Sequence, residues 1–144
     1  MAMKVKEFLG EVVELVRMQV AREYKDFHTL GPRTSLIKLH FGDPRFHYEI
    51  WVQRRRGIVE LGLHFEGRPE ENAGYLERLS ARSTEIRSGL GKGVEAEQWT
   101  PRWTRVHRTV PLEPLNEDFL WEVASQTSKM ITVLEPMVRE TGNR

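Results

Sequence analysis

Residues 35–65 read SLIKLHFGDPRFHYEIWVQRRRGIVELGLHF, and the alternation inside this stretch decides the fold. Gly42-Asp43-Pro44-Arg45 is turn chemistry, and a four-residue connection there pairs Phe41 with Phe46 and His40 with His47. Moving outward, Leu39 meets Tyr48, Ile37 meets Ile50 and Ser35 meets Val52 on one face, which is the core side. On the opposite face Lys38 meets Glu49 and Leu36 meets Trp51, an opposite-charge pair and an apolar pair at cross-strand positions. A second turn falls at Arg54-Arg55-Arg56-Gly57. A two-residue Arg56-Gly57 loop sets Tyr48 opposite Phe65, Ile50 opposite Leu63 and Val52 opposite Leu61, with Trp51 over Gly62. A slip of two residues keeps the faces and changes the pairs, whereas a slip of one sends the core set to solvent. The facing is therefore more strongly determined than the pairing.

The flanking segments read as helices and two further strands. Val5, Phe8, Leu9, Val12, Val13, Val16 and Val20 recur at three- and four-residue steps, which predicts a helix from residue 5 to about 24. Leu15 and Met18 widen its apolar face. Gly10 costs roughly 1 kcal/mol relative to alanine inside it, which suggests a second partner surface or a close backbone approach. Gly31-Pro32 breaks the pattern. Pro69-Glu70-Glu71 suits the first turn of a helix, whose stripe of Ala73, Leu76, Leu79, Ile86 and Leu90 ends at a Gly-rich stop, residues 89–93. Residues 94–99 and 104–110 read as short strands, and Arg108 beside Val106 and Val110 suggests an edge position or a ragged fit. A final helix starts at the cap residue Asn116, and Pro136 is expected to kink or end it. Residues 141–144 read as a frayed tail.

Composition bounds the function. At 144 residues the chain is long enough for one self-sufficient core, residues 1–144 forming a single α+β domain. It has no cysteine, which excludes disulfides and thiolate metal sites and makes a cytoplasmic location the expectation. No apolar run is long enough for a membrane span or a signal peptide, so no membrane partner is expected. With 22 basic and 21 acidic side chains, the net charge of +1 supplies no global field for a polyanion, and any basic site must be local.

The order helix, three strands, helix, two strands, helix predicts a two-layer, five-stranded, mainly antiparallel sheet with helices mainly on one face. This order resembles that of the type III secretion chaperones, small dimeric proteins that bind extended segments of client proteins, although those tend to be acidic. A second resemblance rests on Ile58-Val59-Glu60-Leu61, Leu79, Glu85-Ile86, Leu90-Gly91, Glu97-Gln98-Trp99 and Arg105-Val106. Over residues 46–139 these look like an uncharacterised bacterial domain often fused to restriction-endonuclease-like nuclease domains. That resemblance implies an accessory role beside DNA metabolism and carries over no catalytic residue.

Three groups of side chains are candidates for a site. His40, His47 and His64 with Glu49 lie near one end of the outer sheet face, where imidazoles and a carboxylate can hold zinc. The plainer reading is a solvated face with alternating polar residues, so no metal and no other cofactor is expected. No nucleophile stands beside the histidines, and no catalytic residue is assigned. Arg54, Arg55 and Arg56 at one turn, and Arg102, Arg105 and Arg108 interleaved with Trp99, Trp103 and His107, offer cations for phosphates and aromatics for stacking. The apolar pair Leu36 and Trp51, with Trp99 and Trp103 at the rim, suggests a protein-binding patch unless the last helix or the rim tryptophans fold over it. The expectation is a noncatalytic, homodimeric protein-interaction module. A nucleic-acid-binding accessory domain is the alternative, and a metal-dependent enzyme the third.

Overall fold

The alternation of residues 35–65 becomes the centre of a six-stranded antiparallel sheet in the computed structural model, which describes residues 2–141. The elements run α1 (Val5–Gln19), β1 (His28–Arg33), β2 (Leu36–His40), β3 (Phe46–Gln53), β4 (Ile58–Phe65), α2 (Pro69–Ser80), α3 (Ser83–Leu90), β5 (Glu95–Gln98), β6 (Thr104–Pro111) and α4 (Glu117–Thr141). The strand order across the sheet is β1-β2-β3-β4-β6-β5. Six strands replace the five expected. The addition is β1, which Gly31-Pro32 disguised as a break: the peptide between them is cis, and the pairing with β2 shifts register between Leu30 and Arg33.

The helices cover one face of the sheet. Ile37, Leu39, Tyr48, Ile50, Leu61, Leu63 and Phe65 point into this layer and are almost fully buried, each contributing roughly 1.5–3 kcal/mol of burial. They meet Phe8, Leu9, Val12 and Val16 of α1 and Phe119, Val123, Leu134 and Val138 of α4 in one core. Phe8 stacks on Phe119 at 5.6 Å between ring centroids, and Phe65 on Tyr75 at 4.6 Å. Among the described residues, no helix is long and apolar enough to cross a membrane.

Strand β2 pairs with β3 in the expected register, with Leu39 opposite Tyr48, Ile37 opposite Ile50, Lys38 opposite Glu49 and Leu36 opposite Trp51. Strand β4 is shifted by two residues from the expected pairing. Phe46 faces Phe65, Tyr48 faces Leu63, Ile50 faces Leu61, and Trp51 meets Glu60 instead of Gly62. The cause lies at the turn, where Arg54–Arg56 form a short 3₁₀ turn closed by Gly57 at φ 64°. Three residues plus a left-handed glycine make a longer connection than the two-residue loop, and both faces keep their composition.

Other departures have local causes. The first helix stops at Gln19, because Lys25 folds back to donate to the carbonyls of Arg17 and Met18. Nothing approaches the position a Gly10 side chain would take, so no close backbone contact accounts for that glycine. The segment read as one helix from Pro69 is two, with a break at Ala81 and Arg82. Arg108 pairs with Leu61 of β4 but lies just past the end of β5, so it has a strand on one side only, and its guanidinium donates to the carbonyl of Leu90 at 2.7 Å. The α4 helix continues through Pro136 to Thr141. The hydrogen bond that proline removes belongs to Thr132, on a solvent-exposed turn where water can serve the carbonyl. Asn116 caps α4 as expected, its Oδ1 accepting from the Phe119 N–H at 3.1 Å. Of the tail expected to fray, residues 142–144 lie outside the described residues.

Candidate metal centre

Side chains of β3, β4 and β6 that point away from the helices form the second face of the sheet. Alternation puts His47 and Glu49 of β3 beside Glu60, Gly62 and His64 of β4, and these beside Arg105 and His107 of β6. A face without helices is ordinarily wet, yet His47, Glu49, Glu60 and His64 are 1%, 5%, 1% and 0% exposed. The cover comes from the β5–β6 hairpin. Trp99 stands edge-on to His64 at 5.3 Å between centroids, with the Arg105 guanidinium 4.6 Å from the Trp99 ring. Gly62 leaves the room these groups need, since a Cβ there would stand 2.9 Å from His107 Cβ and 3.0 Å from Glu60 Oε1.

His47 and His64 face each other across β3 and β4, their rings parallel within 6° and 5.6 Å apart. The outward nitrogen of each is engaged. His47 Nδ1 lies 2.9 Å from the Pro44 carbonyl, which can only accept, so this nitrogen carries the proton. His64 Nε2 donates to Glu60 Oε1 at 3.0 Å. The inward nitrogens then converge on carboxylates. His47 Nε2 lies 3.1 Å from Glu49 Oε1 and 3.9 Å from Glu66 Oε2, and His64 Nδ1 lies 3.5 Å from the same Glu66 oxygen. His64 Nδ1 is buried without a hydrogen bond, because that approach to Glu66 is off line. The four residues can offer ligand atoms that all lie within 4.8 Å of one another. A tetrahedral zinc ion with ligands near 2.1 Å separates its donors by roughly 3.4 Å, which the 3.1, 3.5 and 3.9 Å separations straddle.

A second ring of groups holds the first. Glu60 Oε1 accepts from Arg105 at 3.3 Å as well as from His64, while its Oε2 is buried with no partner. Arg105 also donates to Glu97 at 2.8 Å. Burial opposes charge on His64, but the hydrogen bond to Glu60 and the neighbouring Glu66 and Glu49 carboxylates outweigh it, and the imidazole is pushed up to about 9. Glu66 is held below the usual carboxylate range against its burial, by His64 first and then His47. His107 is shifted down by burial and by the Arg105 charge, and its Nε2 lies 2.9 Å from Glu97 but off line for a hydrogen bond. Glu95, Glu97 and His107 form a further acidic group, in which Arg105 already supplies the cation.

Three of the four residues singled out from sequence as weak ligand candidates, His47, His64 and Glu49, thus come together. His40 does not: it packs against His28 of β1 at 5.4 Å and faces the Gly42 carbonyl. Glu60 and Glu66 were missed. The two-residue shift of β4 brings His64 opposite His47, and Glu66 lies one step past the strand end. The six candidate arginines also separate. Arg105 is locked into the carboxylate network, Arg108 turns to the helix side, and Arg102 is exposed on the hairpin loop, its carbonyl accepting from Asn72. Arg54, Arg55 and Arg56 remain together and exposed at the far end of the sheet. Trp99 packs against Trp103 over the histidines, so neither covers Leu36 and Trp51, which stand half-buried at the opposite end. Comparison with protein-family models, with curated proteins and with solved structures returned no match to the chain.

Proposed function

We propose that this protein is a noncatalytic module built around one tightly held divalent transition-metal ion of the zinc type, with His47, Glu49, His64 and Glu66 as ligands. One observation carries the proposal: both imidazoles have their outward N–H groups tied, to the Pro44 carbonyl and to Glu60, while their inward nitrogens converge with two carboxylates in a buried spot. Imidazoles that bind metal are held this way, by a carbonyl or carboxylate on the second nitrogen. Charge supports it. Glu49, Glu60, Glu66 and Glu97 bring four carboxylates to a region whose permanent cations are Arg105 and, beside Glu66, Lys38. Buried carboxylates in excess are costly unless a cation joins them.

Two imidazole nitrogens and two carboxylate oxygens suit zinc better than magnesium or calcium, which prefer all-oxygen sites. A bound ion would take the place of the proton on the inward nitrogen of His64. Four protein ligands, three of them almost fully buried and Glu66 partly exposed at the rim, fill a tetrahedral shell, as in structural rather than hydrolytic sites.

Elemental analysis of purified protein is expected to find one zinc per chain. Titrating zinc into chelator-treated protein should give saturable binding, a change in tryptophan emission that Trp99→Phe diminishes, and a rise in thermal midpoint. With free zinc at 100 times its dissociation constant the gain is about 2.7 kcal/mol. His64→Ala should abolish binding and His40→Ala should not. Absence of stoichiometric metal together with no saturable zinc binding would sink the proposal and leave a network of ion pairs.

A further inference from the structure

The acidic groups of the outer face gather at the metal end, and the other end is their electrostatic opposite. Two clefts flank the cross-strand pair Leu36 and Trp51. One, of about 350 Å³, is lined by Leu30, Gly31, Arg33, Leu36 and Lys38. The other, of about 440 Å³, runs from Ser35 and Trp51 to Arg54, Arg55 and Arg56. Every titratable side chain lining either cleft is basic. Arg33, Arg54, Arg55 and Arg56 are exposed, and none of them lies within ion-pair distance of a carboxylate among the described residues. Lys38 stands nearer the centre, where its charge helps to hold Glu66 ionised. Glu60, across the ladder from Trp51, is turned to His64 and Arg105 and leaves no negative charge beside the indole.

We infer that this end of the sheet binds single-stranded nucleic acid, with Trp51 as a stacking platform and the arginines on either side of it as phosphate contacts. Charge complementarity selects the partner. Cations lie around one half-buried aromatic, with Arg33 across the ladder beyond Leu36 and Arg54 to Arg56 following Trp51 at the end of its own strand. A base stacked on the indole would leave its neighbouring phosphates among these groups. Phosphate contacts supply a sequence-independent, salt-sensitive affinity, and any base can use the aromatic face. The near-neutral net charge is no obstacle, because the carboxylates of this sheet face, Glu49, Glu60 and Glu66, are engaged in the histidine network. Nothing in this step depends on the identity of the ion at the other end.

The test uses the full chain as purified and a fluorescently labelled oligothymidine, with anisotropy and tryptophan quenching as readouts. Binding is expected at low salt, with Trp51 emission quenched. For three or four phosphate contacts the logarithm of the binding constant should fall against the logarithm of salt with a slope of about −2 to −3. Trp51→Ala should weaken binding roughly 10-fold or more, and Trp51→Phe should retain most of it. The triple change of Arg54, Arg55 and Arg56 to alanine should lower affinity and flatten the salt slope, whereas Arg87→Ala and Arg102→Ala should do neither. Circular dichroism and the thermal midpoint of each variant establish that it is folded. No salt-dependent binding, or binding that the Trp51 and triple-arginine variants keep, overturns the inference. So does equal competition by polyglutamate without tryptophan quenching, which assigns the surface to an acidic peptide. Repeating the titration after chelation separates this result from the metal proposal: zinc binding without oligonucleotide binding refutes only the surface, and the reverse refutes only the metal.

Discussion

Glu60 concentrates the chemistry of the sheet's outer face. One of its oxygens receives the His64 ring and Arg105, with His107 Nδ1 3.6 Å away, and the other is buried without a partner. In the proposed centre it does not touch the metal and acts as a positioning residue, fixing the His64 tautomer so that Nδ1 points inward. Glu60→Gln keeps the shape and removes the charge. It is expected to weaken zinc affinity by about 10- to 100-fold, the usual loss when an outer partner of a ligating histidine is removed. Competition against a chromophoric chelator measures this, and Glu60→Asp should recover less than the parent because its reach is shorter. Unchanged affinity in Glu60→Gln would show that the tautomer is set elsewhere. Gly62 acts at the same scale by leaving out a side chain, since a methyl group would press on His107, Glu60 and His64 together.

At the scale of elements, the β5–β6 hairpin closes the site, and Asn72 of α2 holds that hairpin. Its side chain accepts from the Gly67 N–H at 2.9 Å and donates to the carbonyls of Gly67 and Arg102, each at 2.9 Å, while its own carbonyl accepts from Thr104. Four segments are tied through one fully buried residue, its side chain joining the link after β4 and the hairpin loop to α2 and its backbone carbonyl holding the start of β6. Asn72→Ala removes three hydrogen bonds worth roughly 1 kcal/mol each and is expected to lower stability by about 2–3 kcal/mol. Urea denaturation followed by circular dichroism checks this. A loss below roughly 0.5 kcal/mol would mean that water replaces the side chain without cost. A red shift of tryptophan emission in the folded variant should accompany the loss, as Trp99 lifts from His64.

Over the whole molecule, a net charge of +1 conceals a segregated surface. Carboxylates and histidines occupy one end of the open sheet face and unpaired arginines the other, with Leu36 and Trp51 at the basic end. The proposed metal and the proposed nucleic acid therefore meet different residues, and the two bindings should be close to additive. Chelation is expected to lower the thermal midpoint while leaving oligonucleotide affinity within about twofold, provided the measurement is made well below the apo midpoint. Calorimetry and anisotropy on the same preparation decide it, and strong coupling would mean that the sheet itself rearranges with metal.

Much of this arrangement was legible beforehand. The alternation of residues 35–65 assigned each side chain to a face, and the turn chemistry of Gly42 to Arg45 set the β2–β3 register residue by residue. Asn116 announced the cap of α4. These are local matters, in which neighbouring positions compete and a wrong choice exposes the core at once. The pairing of β3 with β4 was degenerate, because a two-residue slip preserves both faces and only the length of the Arg54–Arg56 turn breaks the tie. Strand β1 was hidden by a Gly-Pro pair that pairs across a register shift. Above all, the sequence determined that His47, Glu49, Glu60 and His64 share a face but not that this face is dry. Trp99 and Arg105 come from some forty residues farther along the chain, and no local pattern encodes that they fold back over the histidines. Burial by a distant hairpin turned a row of ordinary polar alternations into a candidate metal centre, and only the tertiary structure decided that.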